Sequence, residues 1–266
     1  MNRIKDYSKL EFDIDRWIKD YYYFHAIESL VVGVSGGIDS AVVSTLCAKT
    51  GLPTYVVCLP LDSKFENSKL SDIHTKNLES EYENVTRVEI ELSSAYYHFI
   101  HSVNWWSDAQ HFDKEEFTAN DLANANTKSR LRMVSLYQVA GSVGGIVVGT
   151  GNKVEDYGVG FFTKYGDGGV DIAPIADIYK TQVWELGRHL GVDERIINAT
   201  PTDGLWEDGR TDEGQLGASY EQLEEAMEHG TGPALDILDK FNRKNKHKMQ
   251  PIPTFTLEKH YDTSRS

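Results

Sequence analysis

The run Gly33-Val34-Ser35-Gly36-Gly37-Ile38-Asp39-Ser40 carries the strongest chemical signal in the chain. Glycines let a backbone turn sharply and approach an anion closely. Main-chain N–H groups, with the hydroxyls of Ser35 and Ser40, can then donate to phosphate oxygens, and a helix starting here aims its positive end at the same spot. Asp39 would be repelled by a phosphate unless a cation lay between them, which implies Mg2+. No lysine follows the glycines, so the run is not the GxxxxGK[ST] loop, and it is not GxGxxG either. A second carboxylate, Glu155, lies five residues beyond Thr150, which closes a short apolar run. Two carboxylates, completed by phosphate oxygens and waters, make a site for a hard ion.

These groups must be held by something. Apolar runs at residues 30–34, 55–59, 85–92 and 146–148 read as strands. Runs apolar on both faces suit a parallel sheet with helices on each side. Helical patterns at 13–25, 38–49, 66–82 and 122–143 alternate with them. The order predicts an α/β fold, a doubly wound parallel sheet with helices on both faces. In such a sheet Thr150 and the 33–40 loop share the carboxyl edge. Along 122–143, Arg130, Val134, Tyr137 and Gly141 fall on one face and Leu136, Val139 and Val143 on the other, so this helix is expected to be sandwiched. Residues 149–169 hold seven glycines, too many for regular elements. Helices resume at 179–190, 220–228 and 233–245. The stretch 200–217, with Asp203, Glu207, Asp208, Asp212 and Glu213, reads as a solvated loop or lid. A single domain over 1–266 is expected.

Bulk properties narrow the function classes. With 40% hydrophobic and 26% charged residues, the 266-residue chain has the composition of a globular protein. A formal net charge of -14 disfavours a nonspecific nucleic-acid binder, though small anions can still be held locally. Cys47 and Cys58 form no CxxC pair and read as buried free thiols. No apolar run approaches the ~20 residues that span a bilayer. The N-terminus lacks a secretory pattern, so a cytoplasmic protein is expected.

The 33–40 run resembles the SGGxDS signature of the N-type ATP pyrophosphatases, which split ATP into AMP and pyrophosphate while activating a carboxylate or carbonyl oxygen. Asn126-Thr127-Lys128-Ser129-Arg130-Leu131-Arg132-Met133, with Tyr137, resembles the NxKxRxRM…Y segment of NAD synthetases. Gly160-Phe161-Phe162-Thr163-Lys164-Tyr165-Gly166-Asp167-Gly168-Gly169-Val170-Asp171 is similar to their GFFTKYGDGGxD segment, and His247-Lys248 matches a pair near their C-terminus. Over residues 10 to 255 the chain is thus similar to ammonia-dependent NAD synthetases.

The resemblance implies the N-type ATP pyrophosphatase (adenine nucleotide alpha hydrolase-like) fold. It implies a ligase that turns deamido-NAD, ATP and ammonia into NAD, AMP and pyrophosphate through an adenylated deamido-NAD, the last step of NAD biosynthesis. At matched positions it implies ATP contacts from Gly33, Val34, Ser35, Gly36, Gly37, Ile38, Asp39, Ser40, Thr150, Lys180 and Thr202. Asp39 and Glu155 would hold Mg2+. Arg130, Lys164, Asp171, His247 and Lys248 would contact deamido-NAD. Asp39 and Lys180 would act in catalysis, and Asp167, in the YGDGG turn, is the candidate for taking a proton from ammonium. The family is typically a homodimer. No segment is left over for an amidase domain with its own cysteine, so free ammonia is the expected nitrogen source. One departure exists: ammonia-dependent members often read GTDHAAEA, whereas GTGNKVED from Gly149 to Asp156 resembles the glutamine-using branch. A tRNA-thiolating pyrophosphatase and a non-enzymatic nucleotide-binding module are the competing readings. The acidic charge and the lack of a cysteine pair weigh against the first; the retention of Asp39, Glu155 and Lys180 weighs against the second.

Overall fold

Short runs rich in β-branched residues pair into one parallel sheet in the computed structural model, which describes residues 4–61, 65–109, 121–202, 205 and 210–255. The strands are β1 (Ser29–Gly33), β2 (Thr54–Cys58), β3 (Val85–Glu89) and β4 (Gly145–Val148). Their order is β3-β2-β1-β4. Val32 of β1 stands opposite Val56 on one side and Val148 on the other. From Ser29 to Val32 β1 is buried throughout, as expected of a central parallel strand covered on both faces. The chain moves outward from β1 through β2 to β3 and then returns to the far side of β1 at β4. The strand order therefore reverses between β1 and β4, and in such a sheet the loops leaving the carboxyl ends of these two strands border a crevice. The 33–40 loop borders it from β1; Gly149 and Thr150 border it from β4.

Helices cover both faces. On one, α1 (Tyr7–Phe24), α2 (Ile38–Lys49), α6 (Lys180–Leu190) and the short α7 (Glu194–Ile197) enclose a core that includes Ile18, Leu46, Val183, Leu186 and Ile196. Gly187 lets α2 and α6 approach closely, because a Cβ there would press on the Cδ1 of Ile38. On the other face α4 (Ser93–Ala109) and α5 (Asp121–Ser142) pack on Val31, Val57 and Val147. The helix α3 (Phe65–Glu81) lies beside β2 and β3, with Leu78 packed among Val34, Val56 and Val85. A further cluster joins Val154, Val159, Leu216, Leu223 and Leu238. It ties a π-helical turn, Lys153–Val159, to α8 (Asp212–Leu216), α9 (Tyr220–His229) and α10 (Leu235–Met249).

Several expectations need correction. No helix was anticipated at Ser93–Ala109, whose serines, aromatics and β-branched residues are indifferent helix formers. Glycine content did not keep 149–169 irregular: Asn152 accepts from the N–H groups of Val154 and Glu155 to start the π-helical turn, and Gly160, at φ 64, ends it. The long helix α5 is not sandwiched. Leu131, Leu136, Val139 and Val143 pack inward, while Val134 and Tyr137 remain 57% and 37% exposed. Within the expected lid, Thr211 caps the single helical turn of α8; Asp203, Glu207 and Asp208 lie outside the described residues. Cys47 and Cys58 are buried free thiols. Among the described residues no helix is long and apolar enough to cross a membrane.

Candidate active site

The glycine-rich loop is shaped by its own serines. Gly36 sits at φ 91, in the left-handed region where a Cβ would be strained. Ser40 Oγ accepts from Ser35 N–H at 3.1 Å and donates to the Gly37 carbonyl at 3.0 Å. Gly37 N–H in turn reaches Ser35 Oγ at 3.3 Å. The Ser40 proton is thus taken up inside the turn, so this hydroxyl shapes the loop here instead of facing outward as a donor. From α3, Ser71 Oγ donates to the Val34 carbonyl at 2.7 Å and pins the loop from behind. Gly37 is the N-cap of α2 in extended conformation, and no side chain caps the first turn. Those N–H groups are the ones that can take an anion.

Beside the loop the structure brings together Asp39, Glu155 and Lys180. Lys180 Nζ donates to Asp39 Oδ2 at 2.5 Å and to Glu155 Oε1 at 2.9 Å. Asn152 Nδ2 reaches the other Asp39 oxygen at 3.0 Å, and Tyr220 Oη donates to Glu155 Oε1 at 2.7 Å. The Lys180 side chain is 3% exposed and each carboxylate 16%. Burial alone would depress the Lys180 pKa, but Asp39 and Glu155 outweigh it and raise it, so the amine stays charged. Burial, reinforced by Glu155 and opposed by Lys180, raises the Asp39 carboxyl. For Glu155 burial is outweighed by Lys180 and by the Tyr220 hydrogen bond, and its pKa falls. With both carboxylates ionised, one ammonium leaves one negative charge uncompensated. Among the described residues no three His, Cys, Asp or Glu side chains converge as a metal cage. Two half-buried carboxylates with an excess charge beside an anion loop nevertheless fit a hard divalent ion completed by phosphate oxygens.

A second group lines the other side of the crevice. Residues 160–171 are strapped to α5 and α10. Arg130 Nε donates to the Lys164 carbonyl at 3.3 Å, Lys164 Nζ to the His247 carbonyl at 3.2 Å, and Lys248 Nζ to the Phe162 carbonyl at 2.6 Å. Asp171 accepts from Tyr137 Oη at 3.1 Å and from Val147 N–H at 2.8 Å. Burial and the Asp171 charge push the Tyr137 hydroxyl up to about 12. Asp167 Oδ1 accepts from Ser129 Oγ at 2.7 Å and Thr163 N–H at 2.9 Å. The surrounding protein raises the Asp167 pKa and these hydrogen bonds restrain the rise, while the residue itself keeps a solvent-exposed surface. Arg130 and His247 are exposed; Thr150 and Thr202 are half-buried.

Several residues at this site escaped the sequence reading. Asn152 was legible as the first residue of an Asn-x-x-Glu start signal. Ser129 lies inside the 126–133 motif, between the two basic residues that drew attention. Asp156 feels the charges of Asp167, Glu155, Asp39 and Lys248 at once, and burial with those acids raises its pKa well above the carboxylate range. Its carboxylate lies against Gly151, where any Cβ would overlap it. Tyr220 carries no local signal, since its partner Glu155 is 65 residues away.

Comparison with known proteins places these features in context. A family model described as NAD synthase matches residues 12–258. Over 235 residues the chain is 37% identical to the NH(3)-dependent NAD(+) synthetase of Carboxydothermus hydrogenoformans, covering 87% of this chain and 90% of that one. The solved NMN synthetase from Francisella tularensis superposes with a TM-score of 0.85 at 32% identity, over 96% of this chain and all 100% of the other. The NH3-dependent NAD synthetase from Campylobacter jejuni shares the fold, with a TM-score of 0.72 at 24% identity over 95% of this chain and 100% of that one.

Proposed function

The chain belongs to the NAD synthase family, and from that premise we propose that it is an ammonia-dependent ligase converting deamido-NAD, ATP and ammonia to NAD, AMP and pyrophosphate. The observation that carries this reading is the Lys180 ammonium held between Asp39 and Glu155 beside an uncapped glycine-rich helix start, at the point where the sheet order reverses.

A carboxylate is a poor electrophile, because direct attack by ammonia would have to expel an oxide. Adenylation makes that oxygen part of a good leaving group. The nicotinate carboxylate attacks the α-phosphorus of ATP, and the bond to pyrophosphate breaks. The loop of Gly33, Val34, Ser35, Gly36, Gly37, Ile38, Asp39 and Ser40, with Thr150 and Thr202, positions the nucleotide, and the uncapped N–H groups that open α2 take its phosphates. Lys180 stabilises the negative charge that develops on pyrophosphate, from a place fixed before reaction. A Mg2+ ion held by Asp39 and Glu155 would add Lewis-acid neutralisation of the triphosphate. Arg130, Lys164, Asp171, His247 and Lys248 hold the deamido-NAD. For Lys164 and Lys248 this means exchanging a backbone carbonyl for a phosphate oxygen.

Ammonia then attacks the acyl carbon and AMP leaves. The attacking nitrogen arrives mostly as ammonium, so a carboxylate must accept a proton; Asp167 takes that part. The chain works as one domain in the cytoplasm and pairs as a homodimer. The exposed Val134 and Tyr137 face of α5 is consistent with such a pairing. Pyrophosphate release from ATP with deamido-NAD and ammonium chloride, each omitted in turn, tests the reading: release that does not need deamido-NAD would reject it.

A second reading has its own support, the TM-score of 0.85 with an NMN synthetase. The acid form of nicotinamide mononucleotide carries the same carboxylate and lacks the adenylyl half. Parallel assays with the mononucleotide acid and deamido-NAD decide between them, the better substrate being the one with the larger kcat/KM.

A further inference from the structure

We propose that Tyr220 and Glu224, one turn apart on α9, are positioning residues for the reaction: the first fixes Glu155 and the Lys180 ammonium, the second fixes the backbone from which Lys180 projects. The inference rests on the ligase reading above and names residues that reading does not require.

A lysine side chain is long and flexible, and its usefulness toward a developing charge depends on being held beforehand. Here the holding comes from α9. Tyr220 is fully buried. Its hydroxyl donates to the same Glu155 oxygen that receives Lys180. Its ring lies 5.1 Å from Lys180 Nζ, within cation–π range. Trp184 meets the Tyr220 ring edge-on at 5.7 Å and lies 5.9 Å from the same ammonium. The ammonium is therefore confined between two carboxylate oxygens and two aromatic rings. Four residues along α9, the buried Glu224 accepts from Thr181 N–H at 2.9 Å and Thr181 Oγ1 at 2.6 Å. This caps the first turn of α6 immediately after Lys180. One face of one helix thus sets both the head and the root of the lysine. The Tyr220 hydroxyl also stands 3.4 Å from Asp212 Oδ2, which links this face to α8.

Tyr220→Phe keeps the ring and removes the hydroxyl. Turnover at saturating substrates is expected to fall about tenfold or more, the scale of a lost hydrogen bond to a charged group. The KM for deamido-NAD should stay within about twofold, because the Tyr220 hydroxyl bonds Glu155 and Asp212 and Glu224 bonds Thr181, none of them assigned to the dinucleotide. Calorimetric titration with Mg·ATP, without the dinucleotide, should show affinity about tenfold weaker. Glu224→Ala should follow the same split, and Glu224→Gln, which keeps an acceptor for Thr181, should restore most of the loss. Leu223→Ala is the control for stability alone. Its apolar side chain is buried in the same helix, so it should lower the melting temperature at least as far while keeping turnover within about twofold. Wild-type turnover and Mg·ATP affinity in Tyr220→Phe would overturn the proposal, as would a turnover loss in Leu223→Ala equal to that of Tyr220→Phe. If the wild-type protein made no NAD, the ligase reading would fail, and the Mg·ATP titrations would still report on the positioning role.

Discussion

Lys180 is buried and Lys248 half-buried, and their surroundings act on them in opposite ways. Burial lowers the pKa of both. At Lys180 the two carboxylates overturn that effect and drive it up. At Lys248 burial prevails, helped by Lys244, although Asp167 and Asp156 pull the other way. Lys180 is tied to charged side chains from the phosphate loop and the π-helical turn; Lys248 and Lys164 are tied to neutral main-chain carbonyls. A charge paired with charge inside the protein is fixed and costly to move. A charge resting on a carbonyl can exchange that partner for an incoming phosphate at small cost. Under the proposed assignment the triphosphate side would be built in advance, and the dinucleotide side would be completed by the ligand.

That contrast can be broken most decisively at Lys180. Lys180→Met should lower pyrophosphate release by about a thousandfold, the upper scale for removing one preorganised charge donor. It should also tighten Mg2+ binding in the absence of nucleotide, since Asp39 and Glu155 lose their ammonium; calorimetric titration with Mg2+ alone reads this, and an affinity unchanged from wild type would contradict the arrangement. Next in size is Asp167→Asn, which keeps an acceptor for Ser129 and Thr163 but cannot take a proton. Amide formation should fall by about a hundredfold near neutral pH, and the deficit should shrink as pH rises and free ammonia replaces ammonium. A deficit equal at all pH values would leave Asp167 only its turn-forming role.

Acid should act on the prebuilt side through His74. Its Nε2 lies 2.9 Å from Ser44 Oγ, on α2 directly behind the loop, and burial depresses its pKa from 6.5 to about 4. A depressed histidine leaves stability intact above 6.5, and stability is lost as pH falls from there toward 4. At pH 5 the loss should be about 2 kcal/mol, seen as a lower urea midpoint, and His74→Asn should flatten the profile. The smallest effect belongs to the adaptable side. Lys164→Ala should raise the KM for deamido-NAD about fivefold with kcat nearly unchanged, as for an exposed charge contact.

What could be read in advance follows the same division. The 33–40 loop was legible because glycines, serines and an aspartate between a strand and a helix are a local instruction; α2 begins and ends where the pattern put it. Six of the eight strand ends moved by one to three residues, since backbone pairing decides them, not side-chain type. The π-helical turn was masked by the glycines around it, although Asn152 at its start and the left-handed Gly160 at its end are what bound it. Arg130 and Lys164 were found through flanking motifs, yet their backbone partners, 34 and 83 residues away, were not foreseeable. Tyr220 and Glu224 fell within the helix expected at 220–228, with nothing local to mark either. Their polar ends meet Glu155 and Thr181 only after the chain has folded.

Gly151 and Asp156 share one volume, and that has a consequence for how this segment can drift over generations. Any side chain at 151 would collide with the Asp156 carboxylate. A side chain at 151 must therefore move the Asp156 carboxylate out of its place: Gly151→Asp should fold with that carboxylate displaced, and adding Asp156→Ala should relieve the crowding. An acid at 151 paired with alanine at 156 would hold the same negative charge from the other side of that shared wall.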